Sequence, residues 1–287
     1  MANVPVRECV GAALRFSREN VRFIVIAAAL AAGLITLLAG AALAIAPLGL
    51  VTGPLSTVVR AFFYAAMVGA ALYGVAGARG RLVGDGWRVW AAMALIGLFM
   101  FIIMFVLSIP GTLVLFAGPL APYLDELQGA GQDQTAVLEV MMRFAQEQPI
   151  AVLLFLLFYA AVWLLLTSSL YLAAPASVDH KRMLTFETWR WTKGNVLAIT
   201  WARLMLLAPA YVLVSALDLI VARIAGVHML DPLAAQTLAQ SNPGMFLVYA
   251  FVTSFITLAV YTPLEAGLST ALYRGLKPAE TALPQAG

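Results

Sequence analysis

The residues that could do chemistry in this 287-residue chain are few and widely separated. There are two histidines, His180 and His228, which we predict to lie on opposite sides of a membrane, and one cysteine, Cys9, which we expect to pack in an apolar helix face. A metal site needs clustered His, Cys or carboxylate ligands, so we expect no metal ion and no cofactor. The sequence has no Gly-x-Ser-x-Gly motif and no phosphate-binding loop. Because no nucleophile–base pair is visible, we expect no enzyme activity.

Two charged residues inside long apolar stretches, Arg203 and Glu265, are the best candidates for function. A lone charge inside a bilayer costs about 3 kcal/mol or more. Arg203 follows Asn195 by eight residues and Glu265 precedes Arg274 by nine. At 1.5 Å per residue, both lie roughly 12–13 Å inside the same boundary. We predict that they pair in the helix bundle. The alternative is that Arg203 extends to the headgroups while a protonated Glu265 bonds a carbonyl freed by Pro263.

A third charge, Arg60, also lies in an apolar stretch. It precedes Arg79 by 19 residues, which is about 28 Å along a straight helix. We therefore expect Arg60 near the opposite headgroups, with its side chain extended into them.

The composition indicates that these residues sit in a membrane protein. The chain is 63% apolar and 11% charged, with a mean hydropathy of +0.93. Soluble proteins average roughly 45–50% apolar residues and about 25% charged residues. This composition excludes a soluble enzyme. The net charge of +3 is too small for nucleic-acid binding, so we expect no nucleic-acid partner.

Six apolar stretches are long enough to cross the bilayer, which needs about 20 helical residues. They predict an all-α integral membrane protein in one membrane domain, 1–287, with six transmembrane helices. We place these helices at Phe23–Ala46, Leu55–Ala76, Trp90–Phe116, Ile150–Ala174, Val196–Leu217 and Phe246–Tyr273.

The distribution of Lys and Arg predicts the orientation. Thirteen of the 17 basic residues fall on one side of the predicted spans, and only Arg143 and Arg223 fall on the other. Cytoplasmic loops carry such an excess. We therefore expect both termini in the cytoplasm of a multi-pass protein.

Short matches at equivalent positions indicate an internal repeat. The stretch Arg15–Val21, before the first span, resembles Arg190–Val196 before the fifth, and Trp87–Val89 is a weaker copy before the third. The even-numbered spans end in the pairs Leu72-Tyr73, Leu170-Tyr171 and Leu272-Tyr273. We predict three units in parallel orientation, approximately 4–76, 79–174 and 180–276, followed by a tail, 277–287.

Each unit would be a hairpin of two spans preceded by a cytoplasmic interfacial helix, although Gly84 and Gly86 weaken the middle copy of that helix. An apolar face opposite a basic face suits the headgroup plane, and each basic residue attracts anionic lipid by about 1 kcal/mol. The alternative is a plain positive-inside loop with aromatic anchors. The headgroup-binding candidates are Arg15, Arg18, Arg88, Arg190, Lys193, Trp189 and Trp191.

The segment Thr185–Asn195 resembles a cytoplasmic motif of six-span bacterial proteins of the YciC type and of the membrane domain attached to some glycerophosphoryl diester phosphodiesterases. The last span closes with Leu272-Tyr273-Arg274, which is similar to the end of the last span in these proteins. The resemblance implies a bacterial inner-membrane protein without established chemistry, and therefore no catalytic residues. This sequence departs from the phosphodiesterase architecture, because we find no soluble catalytic domain in it, so the resemblance does not imply that activity.

These observations leave three hypotheses for function. The first is a non-enzymatic inner-membrane protein for envelope or phospholipid homeostasis, with membrane lipids, including anionic phospholipid, as its partners. The second is a small-solute transporter or permease that uses Glu265 as its coupling carboxylate. The third is a membrane scaffold or assembly factor. Neither a protein partner nor an oligomeric state is indicated by the sequence.

Overall fold

The structure is a computed structural model that describes residues 5–131, 133–227 and 234–277. Within these ranges the secondary structure is helical, and no strand is present. Six helical segments are long and apolar enough to cross a membrane, which confirms the predicted all-α, six-span fold. His228 and the predicted tail beyond Lys277 lie outside the described residues.

The helices follow one another with short connections. Two 3-10 turns, Ala46–Leu48 and Ala121–Tyr123, and a π-helical segment, Thr257–Tyr261, separate some of them. The α-helices are α1 (Val6–Glu19), α2 (Val21–Ala44), α3 (Gly49–Arg79), α4 (Leu82–Ala117), α5 (Leu124–Ala130), α6 (Gln134–Glu147), α7 (Pro149–Ser169), α8 (Ala173–Asp179), α9 (Glu187–Thr192), α10 (Val196–Ile224), α11 (Ala234–Ser241), α12 (Pro243–Ile256) and α13 (Thr262–Leu276). The six spans are α2, α3, α4, α7 with α8, α10, and α12 with α13.

The chain forms two compact units, Met1–Leu95 with Ser168–Gly287, and Ile96–Thr167. In the larger unit, α2 packs against α3 and α12, and α3 packs against α13. Small side chains such as Ala28 and Ala32 are fully buried there, as expected where helices approach closely in a bilayer.

The smaller unit has its own apolar cluster, formed by Leu120, Tyr123, Val140 and Phe144. The Asp133 carboxylate accepts hydrogen bonds from the first amides of α6 and so caps that helix. The Tyr123 hydroxyl donates to Glu147 at 2.5 Å. These contacts hold α6 against the turn before α5.

Helix α1 differs from the predicted interfacial helix in what covers its apolar face. Cys9 and Ala13 are buried, and α1 packs across α13 and α10. A Cβ on Gly267 of α13 would lie 3.0 Å from the Ala13 Cα, so the two backbones approach as closely as glycine permits. Burial also raises the pKa of the Cys9 thiol, which fits a packing residue. The apolar face of α1 therefore contacts protein, and its basic face remains exposed.

The predicted interfacial helix of the middle unit is not a separate element. Trp87 and Arg88 lie in the first turns of α4, which begins at Leu82. The glycines predicted to weaken this stretch lie within the helix, because tertiary contacts override their low propensity. A Cβ on Gly86 would lie 2.6 Å from the Phe62 ring of α3, so glycine allows α4 to start directly against α3. The threefold repeat itself stays a prediction.

Gly74 turns the end of α3 back on itself. Its dihedral angles, φ 77° and ψ 165°, fall in a region that essentially only glycine adopts. After this turn Ala78 returns to Gly69, where an added Cβ would lie 3.3 Å from the Ala78 Cβ. The Arg274 guanidinium of α13 donates to the carbonyl of Ala71 at 2.9 Å and to that of Leu72 at 3.0 Å. Arg274 thus satisfies carbonyls that the turn removes from the helix.

We predict that Gly74→Ala lowers the free energy of unfolding by about 1–3 kcal/mol, because a Cβ is strained at this backbone conformation. Thermal denaturation in detergent measures the loss. Gly80→Ala is the control, since Gly80 has φ −72° and open space around an added Cβ, and it should leave stability unchanged or slightly raised. Equal melting temperatures for the two variants would contradict the assignment.

Candidate functional site

The fourth span is interrupted at a point that exposes polar groups inside the larger unit. Helix α7 ends at Ser169 and α8 begins at Ala173, so the intervening residues form a turn. The Thr192 hydroxyl of α9 donates to the freed Ser169 carbonyl at 2.8 Å. Tyr171 lies in this turn and is buried. Because the span is interrupted here, Tyr171 lies in a buried turn between two helices and not within one continuous helix.

Arg203 of α10 is held at this interruption. Its Nη1 donates to the Ser168 hydroxyl at 2.8 Å. Its guanidinium carbon lies 4.7 Å from the centre of the Tyr171 ring, within the range of a cation–π contact. Both contacts keep the guanidinium beside polar or electron-rich groups rather than beside aliphatic side chains.

The same tyrosine connects Arg203 to Glu265. The Tyr171 hydroxyl donates to the backbone carbonyl of Glu265 at 3.2 Å. The Glu265 carboxylate is within electrostatic range of Arg203 and of Tyr64 and Tyr171. We call Ser168, Tyr171, Arg203 and Glu265 the inner polar cluster.

The structure thus brings the two predicted charges into one cluster, with Tyr171 between them. A direct or water-bridged pair of Arg203 and Glu265 stays a prediction. Sequence reasoning missed the role of Tyr171, which was noticed only as part of a recurring Leu-Tyr pair. The signal that could have found it is this recurrence at the end of a span.

Glu265 also lines a cavity of about 390 Å³ between α3, the first turns of α4 and α13. Its wall includes Arg60 and Tyr64 from α3, Trp90 from α4, and Thr262 beside the π-helical segment. Segments of π-helix are frequent at functional sites. The cavity is therefore the candidate ligand site of the membrane interior.

Two contacts define the register of α3 against α13. The Tyr64 hydroxyl hydrogen-bonds the Ser269 hydroxyl at 3.1 Å. Further along both helices, Arg274 reaches the Ala71 carbonyl. The order of these contacts is the same on both helices, so α3 and α13 run in the same direction.

This register corrects the expected position of Arg60. Tyr64 and Ser269 are 205 positions apart, as are Arg60 and Glu265, so the latter two lie at the same level. Arg60 is 11 residues from Ala71, or about 16 Å. The expectation of about 28 Å was wrong because Gly74 turns the chain back, and the residues after it add nothing to the length of the span.

At the cytoplasmic end predicted from the charge distribution, Asp179 joins three elements. It accepts hydrogen bonds from the Tyr73 hydroxyl at 2.7 Å and from the Tyr273 hydroxyl at 2.6 Å. Lys277 lies 3.4 Å from the same carboxylate. Two of the three recurring tyrosines therefore meet at one carboxylate, which ties the ends of α3, α8 and α13 together.

A basic pocket of about 360 Å³ lies beside this junction, at the start of α4. Four cationic residues line it, Arg79, Arg81, Arg88 and Lys181, together with the single carboxylate of Asp85. Asp85 is buried and binds Arg88 at 2.8 Å. We call this group of five side chains the basic pocket. The excess of positive charge and the amino end of a long helix both favour an anion there.

The other predicted headgroup residues lie elsewhere. Arg15 and Arg18 are exposed on α1, and Arg190 and Trp189 are exposed on α9 with Lys193 directly after it. The Trp191 ring is half-buried, 6.2 Å from the Tyr273 ring. Of the predicted set, only Arg88 lies in the basic pocket. The sequence analysis counted the other three cations of the pocket only as loop charges.

Comparison with known proteins identified no relative of this chain. No protein-family model matches the chain, and neither a curated protein nor a solved structure is significantly similar to it.

We predict that Asp179→Asn lowers the free energy of unfolding by about 2 kcal/mol, because charge-assisted hydrogen bonds are lost at a partly buried site. Thermal stability in detergent measures the change. Glu19→Gln is the matched control, since Glu19 is exposed at the end of α1. If both variants melt at the same temperature, Asp179 does not hold the junction.

We predict that Arg203→Gln and Glu265→Gln each lower thermal stability, because each leaves a polar group at depth without its counter-charge. Exchanging the two residues should recover part of the combined loss. The measurement is the melting temperature of all four proteins in one detergent. If the exchange variant loses as much stability as the two single variants together, the two charges do not act on each other.

Proposed function

We propose that the protein is a non-enzymatic membrane protein that binds anionic phospholipid at its cytoplasmic face and serves envelope or phospholipid homeostasis in a bacterial inner membrane. The observation that supports this proposal is the basic pocket. Its four cationic residues surround a space of about 360 Å³ with one carboxylate, which is already bound to Arg88.

Phosphate chemistry fits the residues of this pocket. Arginine binds phosphate oxygens through two parallel N–H groups, and lysine binds them as a compact charge. Leu82, Val83 and Gly84, the first residues of α4, also line the space. Backbone N–H groups at a helix start favour an anion. The Arg81 guanidinium is positioned 4.7 Å from the Tyr73 ring, so part of the pocket is already ordered.

The pocket combines Arg79, Arg81 and Arg88, near the connection between the second and third spans, with Lys181 from the connection between the fourth and fifth. Both connections are on the side that the charge distribution predicts to be cytoplasmic. The exposed cations of α1 and α9 would add nonspecific attraction to an anionic leaflet at about 1 kcal/mol each. The resemblance to six-span bacterial inner-membrane proteins points to the same location.

A small-solute transporter is the second candidate. The observation that favours it is the cavity of about 390 Å³ lined by Glu265. An ionisable residue inside a membrane protein is a common marker of a solute or proton pathway. This candidate would use the inner polar cluster and leave the basic pocket without a role.

We predict that protein purified in mild detergent retains anionic phospholipid above its fraction in the membrane, as measured by lipid mass spectrometry. Arg79→Gln combined with Lys181→Gln should reduce this enrichment several-fold, because two phosphate-binding charges are removed. The matched control is Arg7→Gln combined with Arg22→Gln, which removes the same charge from exposed positions outside the pocket.

The control should keep the enrichment of the unaltered protein. Equal losses in both double variants would mean that only the overall charge attracts lipid, and the pocket would have no specific role. Absence of enrichment in the unaltered protein would overturn the proposal.

A further inference from the structure

The cavity between α3, α4 and α13 presents two opposite charges at one level. Arg60 and Glu265 both line it, and the register of α3 and α13 places them side by side in depth. That level is roughly 13–16 Å from the point where Arg274 meets the end of α3. Charges at such depth are rare and generally face a polar pathway or a ligand.

Neither charged group is in direct contact with a counter-charge among the described residues. Among the described residues, the Arg60 guanidinium and the Glu265 carboxylate have no direct hydrogen bond and no ion pair. The Glu265 backbone carbonyl accepts a hydrogen bond from Tyr171. Its carboxylate lies within electrostatic range of Arg203 but forms no salt bridge among the described residues. An unpaired charge in the bilayer interior is costly. A molecule in the cavity that carries both charges would offset both costs.

We infer that this cavity binds a zwitterion, with its anionic group at Arg60 and its ammonium group at Glu265. The volume of about 390 Å³ accommodates a headgroup-sized molecule. Trp90 supplies an aromatic face to the wall, and an indole face attracts an ammonium group. The wall also contains the aliphatic side chains of Ala61, Ala94 and Leu258, which suit the short carbon chain that joins the two charges.

This site is separate from the basic pocket. In the basic pocket the single carboxylate, Asp85, is bound by Arg88. In the cavity the Glu265 carboxylate forms no salt bridge among the described residues. The two sites therefore differ in the headgroup that they prefer. The inference stands independently of the function proposed above, and either can fail without the other.

The experiment measures occupancy at the cavity itself. In a Cys9→Ala background, Met93→Cys places the only thiol on the cavity wall, and its rate of modification by a methanethiosulfonate reagent is followed in detergent. The probes are dihexanoyl-phosphatidylethanolamine, which is zwitterionic, dihexanoyl-phosphatidylglycerol, which is anionic, and free O-phosphoethanolamine. We expect the ethanolamine lipid to protect the thiol at about tenfold lower concentration than the glycerol lipid, because one further charged contact forms.

Variants assign each charge to its partner. Glu265→Gln should abolish the preference for ethanolamine over glycerol, whereas Arg60→Gln should weaken protection by both lipids about tenfold, because both carry phosphate. Arg60→Lys should restore part of that loss. Arg22→Gln, outside the cavity, is the matched control and should change neither quantity. Arg60 is exposed to the cavity, so its variants test the inference even if Glu265→Gln fails to fold.

The probes also distinguish the source of the zwitterion. Protection by free O-phosphoethanolamine would assign a soluble zwitterion, and protection by the lipid alone would assign a headgroup. Equal protection by both lipids in the unaltered site, protection by none of the probes, or an unchanged preference in Glu265→Gln would overturn the inference.

Discussion

The hydrogen bond from Tyr171 to the backbone of Glu265 is the contact on which the interior of this protein depends. In hydrocarbon, a broken helix and a charged side chain each need an internal partner, because no water is available. The turn after α7 and the charge of Arg203 meet this need together, since the tyrosine packs its ring against the cation and directs its hydroxyl to α13. One side chain therefore connects α10 and α13 through the interrupted fourth span.

The same constraint explains the end of α3. Gly74 breaks the helix, and the broken end would leave carbonyls without partners. Arg274 supplies the missing donors. Its charge also faces the carbonyl end of a helix, where a cation is favoured. A glycine and an arginine 200 residues apart in the sequence thus act together: Gly74 ends the straight part of α3, and Arg274 binds the carbonyls left there.

The recurring Leu-Tyr pairs have different roles in the folded chain. Tyr73 and Tyr273 converge on Asp179 at one end of the larger unit, whereas Tyr171 lies in the inner polar cluster. A tyrosine has an apolar ring and a polar tip, so it suits both the end of a span and a polar site at depth. The backbone conformation around each tyrosine determines whether its side chain lies at the end of a span or in a polar site at depth. Asp179 lies at the cytoplasmic end inferred from charge, next to the basic pocket, which makes the junction a support for the proposed headgroup site.

The sequence by itself determined the number of spans, the helical class and the places where charge enters the apolar stretches, because length and hydropathy are local properties. Counting residues along straight helices predicts similar depths for Arg203 and Glu265, and those depths stay a prediction. The same count fails between Arg60 and Arg79, because the turn at Gly74 shortens that helix. Only the tertiary structure decided that Tyr171 lies beside Arg203, that α1 rests on α13 rather than on lipid, and that Arg79, Arg81, Arg88 and Lys181 share one pocket. Each of these depends on contacts between residues far apart in the chain, which hydropathy and spacing do not encode.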